Sequence, residues 1–198
     1  MHWLVIILVL ALVVGPVAYM LPSRKDKRLA ALRLRARQLG LNISLSQLPK
    51  LDPLAEERVS AAGELKDPRF PCVAYTLSRE LDRVPEIDSG FHLQRLPAQP
   101  TVPVNVWSEG WHLTTAGTQG GGADEAALNS LARALAPLTE RLTEFLADAP
   151  ADWFAVSADA RCVACYWAEK AEAEGDELDV IRARLMTLRD LLGRQSLL

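Results

Sequence analysis

The closest spacing of reactive side chains is Cys162-Val163-Ala164-Cys165. Two thiols three residues apart suit a zinc knuckle or a dithiol redox centre, with Cys72, His92 and His112 as the other available ligands. The local pattern argues against both. The motif lies in a β-rich run, where positions three apart point to opposite faces of a sheet. It has no glycine or proline to turn a knuckle, and it does not open a helix that would lower a thiol pKa. Small buried thiols account for it better, and no metal or cofactor is expected.

The most site-like stretch is Trp107-Ser108-Glu109-Gly110-Trp111-His112. Aromatic walls beside a carboxylate and an imidazole are the materials of a binding groove, so Trp107, Glu109, Trp111 and His112 form the candidate patch. The same four would serve a membrane-tethered enzyme or a small-ligand receptor, with His112 as base. Tryptophans four apart in a strand share one face, which an ordinary core also requires. His92 alternates with Phe91 and Leu93 and is expected to face solvent. No G-x-S-x-G elbow marks a serine nucleophile, and no Gly-Lys-Ser/Thr follows the glycines at 120–122 to make a phosphate loop. The acidic run 169–179 lacks a calcium-loop register and reads as a solvated hairpin exit and helix start. No catalytic constellation is spelled out.

Around these residues the charge is distributed very unevenly. Trp3 to Leu21 contains no charged side chain, and nineteen residues at about 1.5 Å each nearly match a bilayer's hydrocarbon core. Trp3 and Tyr19 lie where interfacial aromatics belong. With no basic residue before the run and no small-residue cleavage pattern after it, an uncleaved span is expected rather than a signal peptide. Arg24, Lys25, Lys27, Arg28, Arg33, Arg35 and Arg37 follow at once, with Asp26 as the one carboxylate to position 37. The positive-inside bias then places the N-terminus outside and the bulk of the chain in the cytoplasm. Residues 38–198 carry 15 basic and 24 acidic side chains, so the basic band is local. It sets topology, and it suits a helix lying on anionic lipid.

The spacing predicts that helix over 24–39, from Leu29, Leu32, Ala36 and Leu39, closed by Gly40. Alternation at Leu41, Ile43 and Leu45 predicts a strand, and a short helix is expected near 54–62. Further strands are expected at 72–78, 91–96 and 102–107, the last extending toward Leu113, with a polar turn at 82–90 and a glycine loop at 114–123. Leu128, Leu131, Leu135, Leu138, Leu142 and Phe145 keep one phase across Pro137, predicting a kinked helix from Asp124 to Asp148. Residues 153–158 and 161–167 predict a hairpin. Leu178, Ile181, Leu185, Leu188 and Leu192 predict a last helix ended by Gly193.

The whole is expected to be an α+β protein: a transmembrane anchor at 1–22, a basic juxtamembrane amphipathic helix at 23–40, and a cytoplasmic domain at 41–198 with a mostly antiparallel sheet packed by two amphipathic helices. The leucine stripes suit an intramolecular core first and a homo-oligomeric seam second. With 198 residues, 49% hydrophobic and 24% charged, the chain is neither disordered nor fibrous. A net charge of −3 and a pI near 5.7 speak against a nucleic-acid partner. Three cysteines are too few for a disulfide scaffold. Arginine outnumbers lysine 17 to 5 and alanine and leucine abound, a composition associated with GC-rich bacteria and hence with an inner membrane. In layout alone, one N-out span, a basic stop and a small β-containing domain, the chain resembles the YajC-type accessory subunits of the protein translocase. The expected role is a non-catalytic adaptor whose partners are membrane lipid and a protein.

Overall fold

A computed structural model describes residues 3, 7, 23–79, 90–115, 125–169 and 175–193. Trp3 and Ile7 sit in helical backbone and are exposed. The rest of the expected span lies outside the described residues, as do most of the polar turn and the glycine loop. Among the described residues no helix is long and apolar enough to cross a membrane.

Helix α1 (Arg24–Gln38) begins on a full capping box. The Ser23 hydroxyl accepts from the Asp26 amide at 3.1 Å, and the Ser23 amide donates to the Asp26 carboxylate at 3.0 Å. That satisfies orphan donors at the helix start. The Ser23 hydrogen bonds also hold the Asp26 carboxyl below its ordinary pKa. At the other end Gly40 takes φ 78°. The Leu41 amide reaches Ala36 O and the Gly40 amide reaches Arg37 O, both at 3.0 Å, a Schellman closure that only a residue tolerant of positive φ completes cheaply. Leu41, delivered by this turn, is 1% exposed in the core.

Seven strands form one antiparallel sheet: β1 (Asn42–Pro49), β2 (Arg69–Ser78), β3 (Phe91–Arg95), β4 (Val106–Ser108), β5 (Trp111–Thr115), β6 (Trp153–Ala158) and β7 (Cys162–Trp167). Their spatial order is β1-β2-β7-β6-β3-β5-β4. Helices α2 (Glu125–Leu135), α3 (Thr139–Ala147) and α4 (Gly175–Gly193) complete the domain. All four helices contribute to one main core on a single face of the sheet. The α+β expectation therefore stands, with four helices packed on the sheet among the described residues rather than two. The leucine stripes at 128–145 and 178–192 are buried in that core, so they pack within the chain.

Several local expectations need correction. The strand expected at 102–113 is a hairpin: Ser108 pairs with Trp111, and Gly110 turns the chain at φ 77°. That position of a two-residue turn requires a positive φ, which favours glycine. The helix expected at 54–62 is a single 3-10 turn, Ala55–Arg58. Pro137 sits in a 3-10 turn, Ala136–Leu138, which separates α2 from α3 while the stripe stays in phase. The β6–β7 hairpin forms as expected without glycine. Asp159 Oδ1 accepts from the Arg161 and Cys162 amides, both at 2.7 Å, so a side chain supplies the turn's bonds. A bulge between Trp153 and Ala155 re-aims β6, which puts both Trp153 and Val156 into the main core.

Candidate functional site

The seven cations of α1 divide into two groups. Leu32 and Ala36 are buried against the domain, so the side chains flanking them meet its surface. Arg33 grips Glu169 through Nε at 3.0 Å to both carboxylate oxygens, with a further bond from its terminal nitrogen. Glu169 is 4% exposed and also accepts from the Tyr75 hydroxyl at 2.7 Å. The hydrogen bond to Glu169 raises the Arg33 pKa; burial, then Glu169, pushes the Tyr75 phenol far up. Arg35 pairs with Asp179 at 2.8 Å, and Arg182 donates to Leu39 O at 3.0 Å. Helix α1 is thus part of the same core as residues 41–193.

The other group is in solvent, Lys27 and Arg37 on the side opposite Leu32 and Ala36 and Arg24, Lys25 and Arg28 around the first turns. Arg24, Lys25, Lys27, Arg28 and Arg37 are exposed and make no ion pair among the described residues. Between them the outer face carries Ala30, Ala31 and Leu34, the last 58% exposed. The result is a small apolar strip with a cationic rim.

The aromatic stretch is split by its own hairpin. Trp111 is buried in the main core, where the Arg95 guanidinium lies 4.9 Å above its ring. Trp107 packs half-buried on the same core, with its indole nitrogen enclosed and unpartnered. Glu109 is exposed in the turn. His112, next to Trp111 on a strand, points to the opposite face, where its Nδ1 accepts from the Asn105 amide at 2.7 Å. Burial lowers the His112 pKa. The two tryptophans lie against the same core; the imidazole and the carboxylate do not join them.

The far face of the sheet holds a smaller cluster of Leu48, Cys72 and Ala155 with Phe70, Phe154 and Tyr166. His92 joins this side, edge-on to Tyr166 at 5.1 Å, and its Nε2 is enclosed without a partner. The expectation of a solvent-facing His92 is therefore corrected. Burial, then His112, pushes its pKa down to about 4. Gln94, 3% exposed, donates to Pro49 O at 2.8 Å and leaves its own carbonyl unpaired. Residues 49–53 and 101–105 cover this region, tied by the Thr101 amide to Leu51 O at 2.9 Å.

Cys165 lines the main core while Cys72 belongs to the far cluster, so the sheet lies between the two thiols. Cys162 is half-buried and donates to Asp159 at 3.4 Å. Burial raises all three thiols, Cys72 and Cys162 to about 11, which keeps them protonated at neutral pH. Among the described residues no group of three or more His, Cys, Asp or Glu is placed to hold a metal ion. A groove between α3 and α4 is lined by Arg141, Glu144, Asp148, Arg184 and Asp190, whose mixed charges select neither sign.

Two functional groups had no sequence signal of their own. Arg95 donates to Trp153 O at 3.1 Å, to Ala149 O at 3.2 Å and to Pro150 O at 2.9 Å, fastening the end of α3 to the sheet. Glu169 was one carboxylate among six in an acidic run until the fold brought Arg33 and Tyr75 to it.

No family model and no curated protein matches the chain. Among solved structures, the crystal structure of the mycobacterial trehalose monomycolate transport factor A, TtfA, aligns with a TM-score of 0.44 at 11% identity, covering 81% of this chain and 92% of that one. A likeness this weak carries no argument about this chain.

Proposed function

We propose that the chain is a non-catalytic accessory or adaptor protein of a bacterial inner membrane. Residues 3–21 form a single span with the N-terminus outside, and the α+β domain stands in the cytoplasm and engages a protein partner. One observation carries this: the uncharged run ends at Leu21 and a capped, domain-embedded helix starts at Ser23. No linker separates them, so an anchor there holds the whole domain at the bilayer and restricts its orientation. The leucine faces are buried, and the β4–β5 hairpin at one sheet edge is taken as the partner surface because an exposed aliphatic side chain lies there beside an aromatic one. There Val106 is 66% exposed beside half-buried Trp107 and exposed Glu109.

Alkaline carbonate extraction of membranes tests the anchor. The protein is expected in the pellet, and release into the supernatant overturns the assignment. Affinity capture of the full chain in mild detergent tests the hairpin. A partner recovered with the native chain and lost with Val106→Asp at unchanged melting supports it; equal recovery removes the hairpin as the surface.

A further inference from the structure

The outer face and first turn of α1 carry five exposed cations that make no ion pair among the described residues, and the carboxylate beside them, Asp26, is engaged in capping the helix. Lys27, Ala30, Leu34 and Arg37 follow one another at helical spacing on the side opposite buried Leu32 and Ala36. An amphipathic helix ordinarily meets lipid by sinking its apolar stripe into the acyl boundary. Here that mode is closed, because Leu32 and Ala36 are in the core and Arg33 is held by a carboxylate that is 4% exposed.

We propose that the outer face and the exposed first turn of α1 are a docking surface for anionic lipid headgroups, with Lys27 and Arg37 on that face and Arg24, Lys25 and Arg28 around the first turns as the phosphate-facing cations and Leu34 as the one side chain of the face that reaches the interface. The occupant is set by charge complementarity and by continuity: the first cation, Arg24, stands three residues beyond the end of the proposed span. The inference rests on the anchor reading above and adds that the domain is seated flat on the bilayer through charge. Arg33 and Arg35 belong to the other side of the helix and hold it to the domain. Contact through headgroups is salt-sensitive, since the screening length falls to about 3 Å at 1 M salt. Each near-surface cation strengthens it by about fivefold.

The test uses the full chain in lipid nanodiscs of phosphatidylcholine alone and of phosphatidylcholine with three-tenths phosphatidylglycerol. Leu34→Cys carries an environment-sensitive fluorophore in a Cys162→Ser background; Cys72 and Cys165 are buried, so labelling selects the new thiol. A blue-shifted, quencher-protected emission is expected only with phosphatidylglycerol, reversing in 1 M salt. Replacing Lys25, Lys27, Arg28 and Arg37 together with Gln is expected to abolish the phosphatidylglycerol response at unchanged melting. Equal emission in both lipids overturns the inference and leaves the face to an acidic protein surface; so does a full response from the fourfold variant or one that survives high salt. Incorporation into the neutral nanodiscs reads the anchor separately, so failure there sinks the anchor and not the headgroup contact.

Discussion

Replacing Arg33 with Gln tests whether α1 is a structural member of the domain. The change leaves Glu169, 4% exposed, with the Tyr75 hydroxyl as its one remaining donor among the described residues. Removing one member of a buried ion pair costs about 3–5 kcal/mol when both are fully enclosed. The Arg33 side chain is 39% exposed, so water already screens part of the pair and the lower end applies. An upper bound comes from neutralising an ordinary glutamate at pH 7, about 3.7 kcal/mol. A loss of about 2–3 kcal/mol is expected, a drop in melting temperature of about 5–10 °C for a domain of this size. Trp153 and Trp167, each 1% exposed and paired across β6 and β7, give the fluorescence signal for unfolding of the full chain. The double variant Arg33→Gln with Glu169→Gln is expected to recover most of the loss, a coupling of about 2 kcal/mol. Asp179→Asn, which breaks an exposed pair with Arg35, serves as the control and costs less than about 0.5 kcal/mol. An Arg33→Gln variant no less stable than that control would refute the docking of α1.

Three more outcomes are expected. Because the His92 pKa is lowered to about 4 in the folded chain, stability is full above the unfolded value near 6.5 and is lost as pH falls toward 4; His92→Phe flattens that loss, about 3 kcal/mol at most, in denaturant melts at pH 7 and pH 4.5. Arg95→Ala is expected to cost about 2 kcal/mol by unfastening three carbonyls and the Trp111 ring; Arg95→Lys does not restore it, because an ammonium lacks the planar fork. Leu45→Lys, at a position 79% exposed on edge strand β1, is expected to leave melting within about 0.5 kcal/mol and to reduce self-association measured by light scattering.

Elements that bury a periodic stripe were legible before any coordinates. The two leucine-rich helical regions, the β6–β7 pair and α1 all follow from apolar spacing, and Gly40 marks a boundary that bond geometry explains. Where a turn is made by two residues, periodicity misleads. Trp107 and Trp111 share a face in either a continuous strand or a tight hairpin, so only Gly110 distinguished the two cases. Leu45 illustrates the opposite failure: it alternates with Ile43, but it lies on edge strand β1 and stays in solvent. Pairing across the sheet is long-range and left no local trace. His92 became enclosed because β6 and β7 insert beside β3 from residues more than sixty positions later. Of the candidate patch, both tryptophans lie against the main core, while strand alternation sends His112 to the other face. The split of the α1 cations depended on Glu169 and Asp179, 136 and 144 positions away.

The proposed membrane orientation is the point on which the functional reading depends. An epitope tag placed after Leu198 and probed with protease on intact spheroplasts, then on lysed ones, measures it directly. The tag is expected to survive on intact cells and to be cleaved only after lysis; cleavage on intact cells would place the domain outside and contradict the account.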